Sequence, residues 1–372
     1  MKIESVELRV VRLPLVTPFR TSQHRQDERV ALLVCAHTTE GEGWADCAVD
    51  AGPLYEPEFL SGARAVMAEY LVPMLMAAPD VAAARVRSVL APVKGHQMAK
   101  AALETAVLDA ELRAKQMSFA QYLGAVRDRV PAGVSVGIPD SLAELIGQVE
   151  GYLEQGYQRV KLKIEPGWDL EPIRAVRERF GSGLALQADA NAAYTLASAP
   201  HLRALDAFGM LLLEQPLAAD DLLGHAELAR LLATPVCLDE SITSPRAAAT
   251  ALRLEACSVI NIKPARVGGY LAARAIHDLC AAHGVPVWCG GMLETGIGRA
   301  ANLALAALEN FTLPGDVSAT ARYFTQDITS AFVIEDGHIA VPRGPGTGVE
   351  LRHDVLDRLT IHREVLRGAL PS

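Results

Sequence analysis

The chain has 372 residues, half of them hydrophobic, and a formal net charge of −9. That length exceeds one ordinary core, so a barrel-sized unit plus a second domain is the natural partition. The acidic balance supplies no basic field to hold phosphates, which argues against nucleic acid as a partner.

Residues 1 to about 50 read as strands. SVELRVVRLPL and VALLVCAHT alternate apolar and polar residues and are rich in β-branched side chains, and TTEGEGWADC reads as the turn between strands. The N-terminus has no signal-peptide core and no apolar run reaches membrane-spanning length, so a cytoplasmic protein without a membrane partner is expected. From about 58 to 125 the chain is Ala-rich and helical, with MAKAALETAVLDAELRAK the best-patterned helix. An antiparallel sheet followed by helices makes an α+β domain. The six cysteines form no C-x-x-C pair and suit a reduced interior better than a disulfide or zinc framework.

Near Val130 strand and helix begin to alternate. The candidate strands are VSVGI, RVKLKI, ALQADA, MLLLEQP, VCLDES, VINIKP, VPVWCGG and a weak eighth near FTLPGDVS. After about 325 the pattern is irregular, PRGPGTGVE is Gly/Pro-rich, and the tail is expected to return to the first domain. The expected division is 1–128 as an α+β capping domain, 129–325 as a barrel and 326–372 as a returning segment.

Charge marks the ends of the central strands. Asp189, Glu214 and Asp239 lie 25 residues apart, Lys163 lies 26 before the first and Lys263 24 after the last. A repeat near 25 residues is too long for a hairpin and suits one strand, one helix and two loops. In a closed parallel barrel the C-terminal strand ends converge on one mouth, where active sites form. Three carboxylates there describe a site for Mg²⁺, with Mn²⁺ a plausible substitute, because hard oxygen ligands without His or Cys disfavour zinc. Any one of these acids, Asp239 before Glu240 and Ser241 above all, would also serve as a helix cap, but capping does not explain three in phase.

Lys161 and Lys163 alternate on one strand and so face the same way. Their mutual repulsion and a nearby metal would favour neutral amines, which a base near pH 7 requires. Two solvated lysines on an edge strand is the competing reading, and Lys263 tips the balance. It falls nearly opposite Lys163 in an eight-stranded ring, so a substrate between them meets one amine on each face. Asn191 is placed to point to the mouth and donate a hydrogen bond, or to cap the next helix. The glycines of GGMLETGIG either cradle an anionic group or make a tight strand-to-helix turn.

KLK, DAN, EQP, LDES, NIKP and GGMLETGIG, in this order, resemble the enolase superfamily and its muconate lactonizing enzyme subgroup. AGPLY, GHQMAKAALE, VKLKIEPGWD, LCAAHGVPVWCGGMLETGIGRAANLAL and NFTLPGD bring the resemblance closer to the o-succinylbenzoate synthase / N-succinylamino acid racemase family. It covers nearly the whole chain. It implies an α/β protein, a (β/α)7β modified TIM barrel under an α+β capping domain, that removes a proton α to a carboxylate through an enediolate. By resemblance Asp189, Glu214 and Asp239 are Mg²⁺ ligands, Lys163 and Lys263 the acid/base pair, and Lys161 a holder of the substrate carboxylate. Ser135 and Gly291, Met292 and Leu293 line the pocket, and Phe19 and the loop around Gly52 and Tyr55 close over a small-molecule carboxylate. Glu240 and Arg266 stand behind the ligands, with Arg266 either tuning Lys263 or lying on the surface at a helix start. Barrels of this kind often assemble, so a homo-oligomer is expected.

The chain departs from the family in its cap loops and, slightly, in the aromatic pair Tyr323-Phe324. CAVDAGPLY carries Asp50 where an apolar residue such as Met is expected, and FRTSQHRQDER has Gln23 and His24 where Phe-Gly is commoner. Asp50 is expected to point to solvent, the alternative being a partner such as Arg20 or Arg25. Three activities are open: syn dehydration to o-succinylbenzoate in menaquinone biosynthesis with racemase capacity, or racemisation as the main activity; a dipeptide epimerase or cycloisomerase, against which LPGDVSA offers only Asp316 in place of an acidic pair; and a non-catalytic metal-binding barrel.

Overall fold

The computed structural model describes residues 1–367. β1 (Ile3–Arg20), β2 (Arg25–Thr38) and β3 (Gly41–Cys47) form an antiparallel sheet with β2 between its neighbours. β2 is apolar on both faces because both are covered. Leu32, Val34 and Ala36 enter the main core, while Ala31, Leu33 and Cys35 join a second cluster with Trp44, Ile297 and Phe324. The segment TTEGEGWADC is mostly not a turn. Thr38 ends β2, only Thr39 and Glu40 reverse the chain, and the rest is β3. Gly43 lets β3 lie directly on the helix Gln97–Ala114, since a Cβ there would overlap Ala106 O and Ala110 N.

That helix is buried on nearly every side, so its apolar spacing is less one-sided than a surface helix requires. Its two buried carboxylates are staples. Asp109 accepts from Trp44 N, Arg113 Nε and Thr347 N at 2.9, 2.9 and 2.7 Å. Glu104 accepts from Leu271 N at 3.1 Å, at the start of the helix Tyr270–Ala282.

β4 (Arg129–Pro131) leads into seven parallel strands: β5 (Gly133–Val136), β6 (Arg159–Lys163), β7 (Ala185–Asp189), β8 (Leu212–Glu214), β9 (Val236–Leu238), β10 (Val259–Ile262) and β11 (Val287–Cys289), hydrogen-bonded in sequence order. The weak eighth stave is irregular but closes the ring. Phe311 bridges Val287, Gly315 bridges Ala132, and Asp316 N and Gly133 N bond Cys289 O and Gly315 O at 2.9 and 3.0 Å. Pro314 has no N–H for a ladder, and Gly315 passes so close to Cys289 O that a Cβ would stand 2.7 Å away.

Side chains alternate around this ring. Leu213, Leu238, Ile260 and Ile262 pack outward against the helices, while Leu212, Cys237, Val259 and Trp288 form a separate cluster inside. The next inward positions up are the charged strand ends. β12 (His338–Ala340) then pairs with β4, and β13 (Thr360–Arg367) pairs antiparallel with β1. All six cysteines are free and buried. Among the described residues no helix is long and apolar enough to cross a membrane.

Burial pushes the Glu104 carboxyl from 4.5 up to about 7. Between those pH values the folded chain retains a proton that the unfolded chain has released, so stability falls as pH rises through the window, by about 3 kcal/mol at most. Glu104→Gln keeps an acceptor for Leu271 N and cannot ionise. Thermal melts of both proteins at pH 4.5 and above pH 7 should show a smaller drop for the variant; an equal drop would mean that Glu104 does not carry the effect.

Candidate active site

β6 delivers Lys161 and Lys163, β7 Gln187 and Asp189, and β8 Glu214. Asp239 and Lys263 follow directly on β9 and β10. All seven side chains are buried, none more than 8 % exposed. Charges so far from water must be paired. Lys161 Nζ lies 2.7, 3.0 and 3.2 Å from Asp316, Glu214 and Asp189, with the Trp288 ring 4.7 Å away. Lys163 Nζ bonds Asp189 Oδ2 at 2.6 Å and Asn191 Oδ1 at 2.8 Å. Lys263 Nζ lies 2.8 Å from Asp239 Oδ2 and 2.9 Å from Tyr55 Oη.

At Lys161 the surrounding carboxylates, rather than repulsion from Lys163, dominate the charge balance. Burial favours the neutral form, but Asp316, Glu214 and Asp189 outweigh it and raise the amine well above its usual range. Lys263 is also raised, with Asp239 and Glu240 overcoming burial and the opposing Arg266. Asp189 is held below the carboxylate range because Lys163 and Lys161 overcome its burial.

Arg266 is no surface residue: it is 4 % exposed. Its guanidinium bonds Asp239 Oδ1, reaches Tyr55 Oη at 2.8 Å and holds Glu56 Oε1 at 2.6 Å. Asn191 joins two strand ends, accepting from Lys163 and donating to Glu240 Oε1 at 2.9 Å. The rim carries backbone strain. Asn191, Ala192, Gln215 and Leu293 follow β7, β8 and β11 with φ of 43°, 63°, 37° and 57°, a region non-glycine residues rarely adopt.

The donor set fits a divalent cation. Burial and then the neighbouring Asp189 carboxylate, with Asp239 adding to them, push Glu214 up to about 8 despite Lys161. Its Oε2 is near Lys161 but has no hydrogen bond in acceptable geometry. Three oxygen ligands that repel one another, one with an orphaned buried atom, are the chemistry a hard cation satisfies. Among the described residues, the one His/Cys/Asp/Glu group whose ligand atoms all fall within 4.8 Å of one another is Cys35, His37 and Glu42 in the antiparallel sheet. The three barrel carboxylates stand further apart, Asp189 and Glu214 sharing Lys161, and Asp239 drawn toward Lys263 and Arg266.

Above them Phe19, Tyr55, Lys163, Asn191, Lys263 and the segment Gly291–Met292–Leu293 line a cavity of about 60 Å³. Gln23 Nε2 donates to Asn191 O at 2.7 Å and Ser22 Oγ to Ala190 O at 3.2 Å, tying the first loop to the end of β7. Ser135 lies on β5 with its Oγ buried and without a partner, while its carbonyl accepts from Arg322 Nη2 at 2.8 Å. The glycines of GGMLETGIG serve close packing. A Cβ on Gly290 would fall on Asn261 Oδ1 and 2.8 Å from Lys263 Cε, and one on Gly298 would fall 2.8 Å from Glu294 Cβ.

Asp50 does not point to solvent. It is 9 % exposed, lines the cavity, and pairs with Arg29 at 2.6 Å. Arg20 pairs instead with Glu165, and Arg25 with Asp27. The charge is tolerated because a buried guanidinium offsets it.

Sequence reasoning passed over several residues at the site. Asn261, which donates to Glu214 Oε1 at 2.8 Å, stands two positions before Lys263, so strand alternation already marks it. Asp316 was seen only as a lone acid, yet it pairs with both Lys161 and Arg159 at 2.7 and 2.8 Å. Arg29 and Glu56 have no local signal.

A closed parallel barrel with lysines and carboxylates at its mouth, beneath loops of an α+β unit, defines a class of acid/base enzymes built on strand ends. Residues 144–355 match the enolase C-terminal domain-like family, and residues 4–124 the mandelate racemase / muconate lactonizing enzyme N-terminal domain. The chain belongs to the enolase superfamily, in its mandelate racemase / muconate lactonizing enzyme branch. It is 61% identical over 360 residues to an N-succinylamino acid racemase of Amycolatopsis sp, covering 97% of this chain and 98% of that one. It is 45% identical over 362 residues to an o-succinylbenzoate synthase of Geobacillus kaustophilus, covering 97% and 96%. A crystal structure of an enolase-superfamily member from Listeria innocua matches with a TM-score of 0.94 at 38% identity, covering 99% of both chains.

Gly290→Ala places a methyl group against Asn261 and Lys263. If Lys263 takes part in the chemistry, its displacement should lower turnover at least about 100-fold, while the far-UV circular dichroism stays that of the parent. Retained turnover would show that Lys263 tolerates the shift.

Proposed function

We propose that this chain is an o-succinylbenzoate synthase, a dehydratase with N-succinylamino acid racemase capacity, and that Asp189, Glu214 and Asp239 hold Mg²⁺. One observation carries the reading: Lys163 and Lys263 enter the same cavity from β6 and the end of β10, four strands apart in an eight-staved ring. They therefore address opposite faces of whatever lies between them. When bound, Mg²⁺ supplies electrostatic stabilisation of the charge that builds on the substrate carboxylate as its α-proton leaves.

The chain's own residues do the rest. Lys161, fixed by Asp316 and Trp288, holds a positive charge beside the carboxylate. In dehydration Lys163 takes the α-proton and returns it to the departing hydroxyl on the same face. The C–H and C–O bonds break, a carbon–carbon double bond forms, and water leaves. Lys263 contributes only its charge. In racemisation one lysine removes the α-proton and the other delivers a proton to the opposite face, so no atom is gained or lost. Asn191 orients Lys163, and Tyr55, Asp239 and Arg266 orient Lys263.

The epimerase reading needs a free acidic pair for a substrate ammonium. Asp316 is fully engaged by Lys161 and Arg159, which disfavours it.

Excess chelator should abolish both activities and Mg²⁺ or Mn²⁺ restore them, and Glu214→Gln should weaken Mg²⁺ binding in calorimetry without unfolding the chain. Activity undiminished by chelation would end the metal assignment. Lys163→Ala should cost both reactions about 10³-fold or more, within the span of general acid–base catalysis. Lys263→Arg keeps a cation but not a usable base. It should reduce racemisation at least about 100-fold and dehydration by less than about tenfold. Equal losses would contradict the division of roles.

A further inference from the structure

The β2–β3 hairpin of the antiparallel sheet gathers three side chains that the barrel mouth does not use. Cys35 and His37 alternate on β2 and so share a face, and Glu42 on β3 stands directly across from His37. Cys35 Sγ lies 4.0 Å and His37 Nδ1 3.5 Å from Glu42 Oε2, and the three ligand atoms all fall within 4.8 Å of one another. These gaps are loose for hydrogen bonds but close to the edges of a coordination tetrahedron. Ligand atoms about 2.0 to 2.3 Å from zinc stand about 3.3 to 3.7 Å from one another.

The neighbouring acids are already engaged. Glu7, across from Cys35 on β1, is held by Arg9 and, at 2.7 Å, by Arg363. Asp109 is held by Trp44 N and Arg113 Nε. Among the described residues Glu42 has only His37 within ion-pair reach. Its Oε1 accepts from Trp44 Nε1 at 3.4 Å, a support that leaves Oε2 toward Cys35 and His37. Cys35 is fully buried, packed in the cluster with Leu33, Trp44 and Ile297. The His37 and Glu42 side chains are 35 % and 52 % exposed, so an ion reaches the cluster from the hairpin end, and apolar packing closes it behind the thiol.

We propose that Cys35, His37 and Glu42 form a second metal site, one for Zn²⁺, held through one sulfur, one nitrogen and one oxygen with water in the fourth position. Thiolate and imidazole suit zinc, whereas the carboxylates of the barrel suit Mg²⁺, so the two sites select different ions. Burial, and then Glu42, Glu7 and Asp109, push the Cys35 thiol up against the pull of Arg9. The metal displaces that proton, so binding tightens as pH rises. Bound there, the ion joins β2 to β3, the edge strand of its sheet, and stabilises the capping unit.

Co²⁺, a spectroscopic stand-in for Zn²⁺, tests the site in the full chain with excess Mg²⁺ present. One equivalent should raise a thiolate-to-cobalt charge-transfer band, which the barrel carboxylates cannot produce. Zn²⁺ should bleach that band and, at about 100 times its dissociation constant, raise the melting temperature by about 4 °C. Cys35→Ser should remove both the band and the shift. His37→Ala and Glu42→Gln alter partly exposed side chains, so the metal-free melting temperature should stay at the parent's while Co²⁺ binding weakens at least about tenfold. Raising the pH by one unit should tighten binding about tenfold, one proton leaving as the metal enters. No band in the parent, a band that survives Cys35→Ser, or an affinity unmoved by both His37→Ala and Glu42→Gln overturns the site.

Discussion

The mouth of the barrel gathers five basic and six acidic side chains, all buried except the half-buried Glu56 and Glu240, and each charge must be neutralised by its neighbours. Lys161, Lys163, Lys263, Arg159 and Arg266 face Asp189, Glu214, Asp239, Glu240, Asp316 and Glu56. An unpaired charge there costs several kcal/mol. Removing one member exposes another, which is why the pairs run in chains: Lys163–Asp189–Lys161–Asp316–Arg159 on one side, Lys263–Asp239–Arg266–Glu56 on the other. Glu214 sits between the chains with one oxygen left over. That imbalance is what a divalent cation would relieve.

The fold meets this constraint with a two-residue rule. On β6, β7 and β10, alternate positions carry charged or amide groups inward and Val, Leu, Ala or Ile outward. One slip of register would put Lys161 and Lys163 against the helices and Leu162 into the site. Below the charges, Leu212, Cys237, Val259 and Trp288 fill the bore. Trp288 meets Lys161 with its ring face, a contact that keeps an ammonium comfortable where water is absent.

The stride of charged residues was legible because barrel geometry forces one strand end per turn of the repeat. The helices and the seven regular strands were legible for the same reason: each has one period and one environment. The misreadings are where two environments compete. GEGWADC carries glycines that look like a turn, yet Gly43 is needed inside a strand to admit a helix. The eighth stave has proline and glycine because it closes the ring by single bonds rather than a full ladder. Arg29 and Asp50 lie 21 residues apart on different segments, and nothing local announces that they touch. The same holds for Arg159 and Asp316, 157 residues apart. Asn261 was readable from alternation alone.

The departures from the family pattern at Gln23, His24 and Asp50 fall on cap loops, and the reason is physical. Strand ends are locked by register and by the charge network, so substitution there breaks several pairs at once. The loops carrying Gln23, His24 and Asp50 are joined to the barrel mainly through backbone carbonyls, as at Ala190 and Asn191. A carbonyl accepts from whatever side chain is long enough to reach it, so Gln23 anchors its loop without changing the site below. Asp50 needed more, because a charge beside the cavity requires a counter-charge, and Arg29 provides it from the adjoining strand. The pair closes on itself beside the cavity and takes no partner from the lysines and carboxylates below, whose own pairs are complete without it.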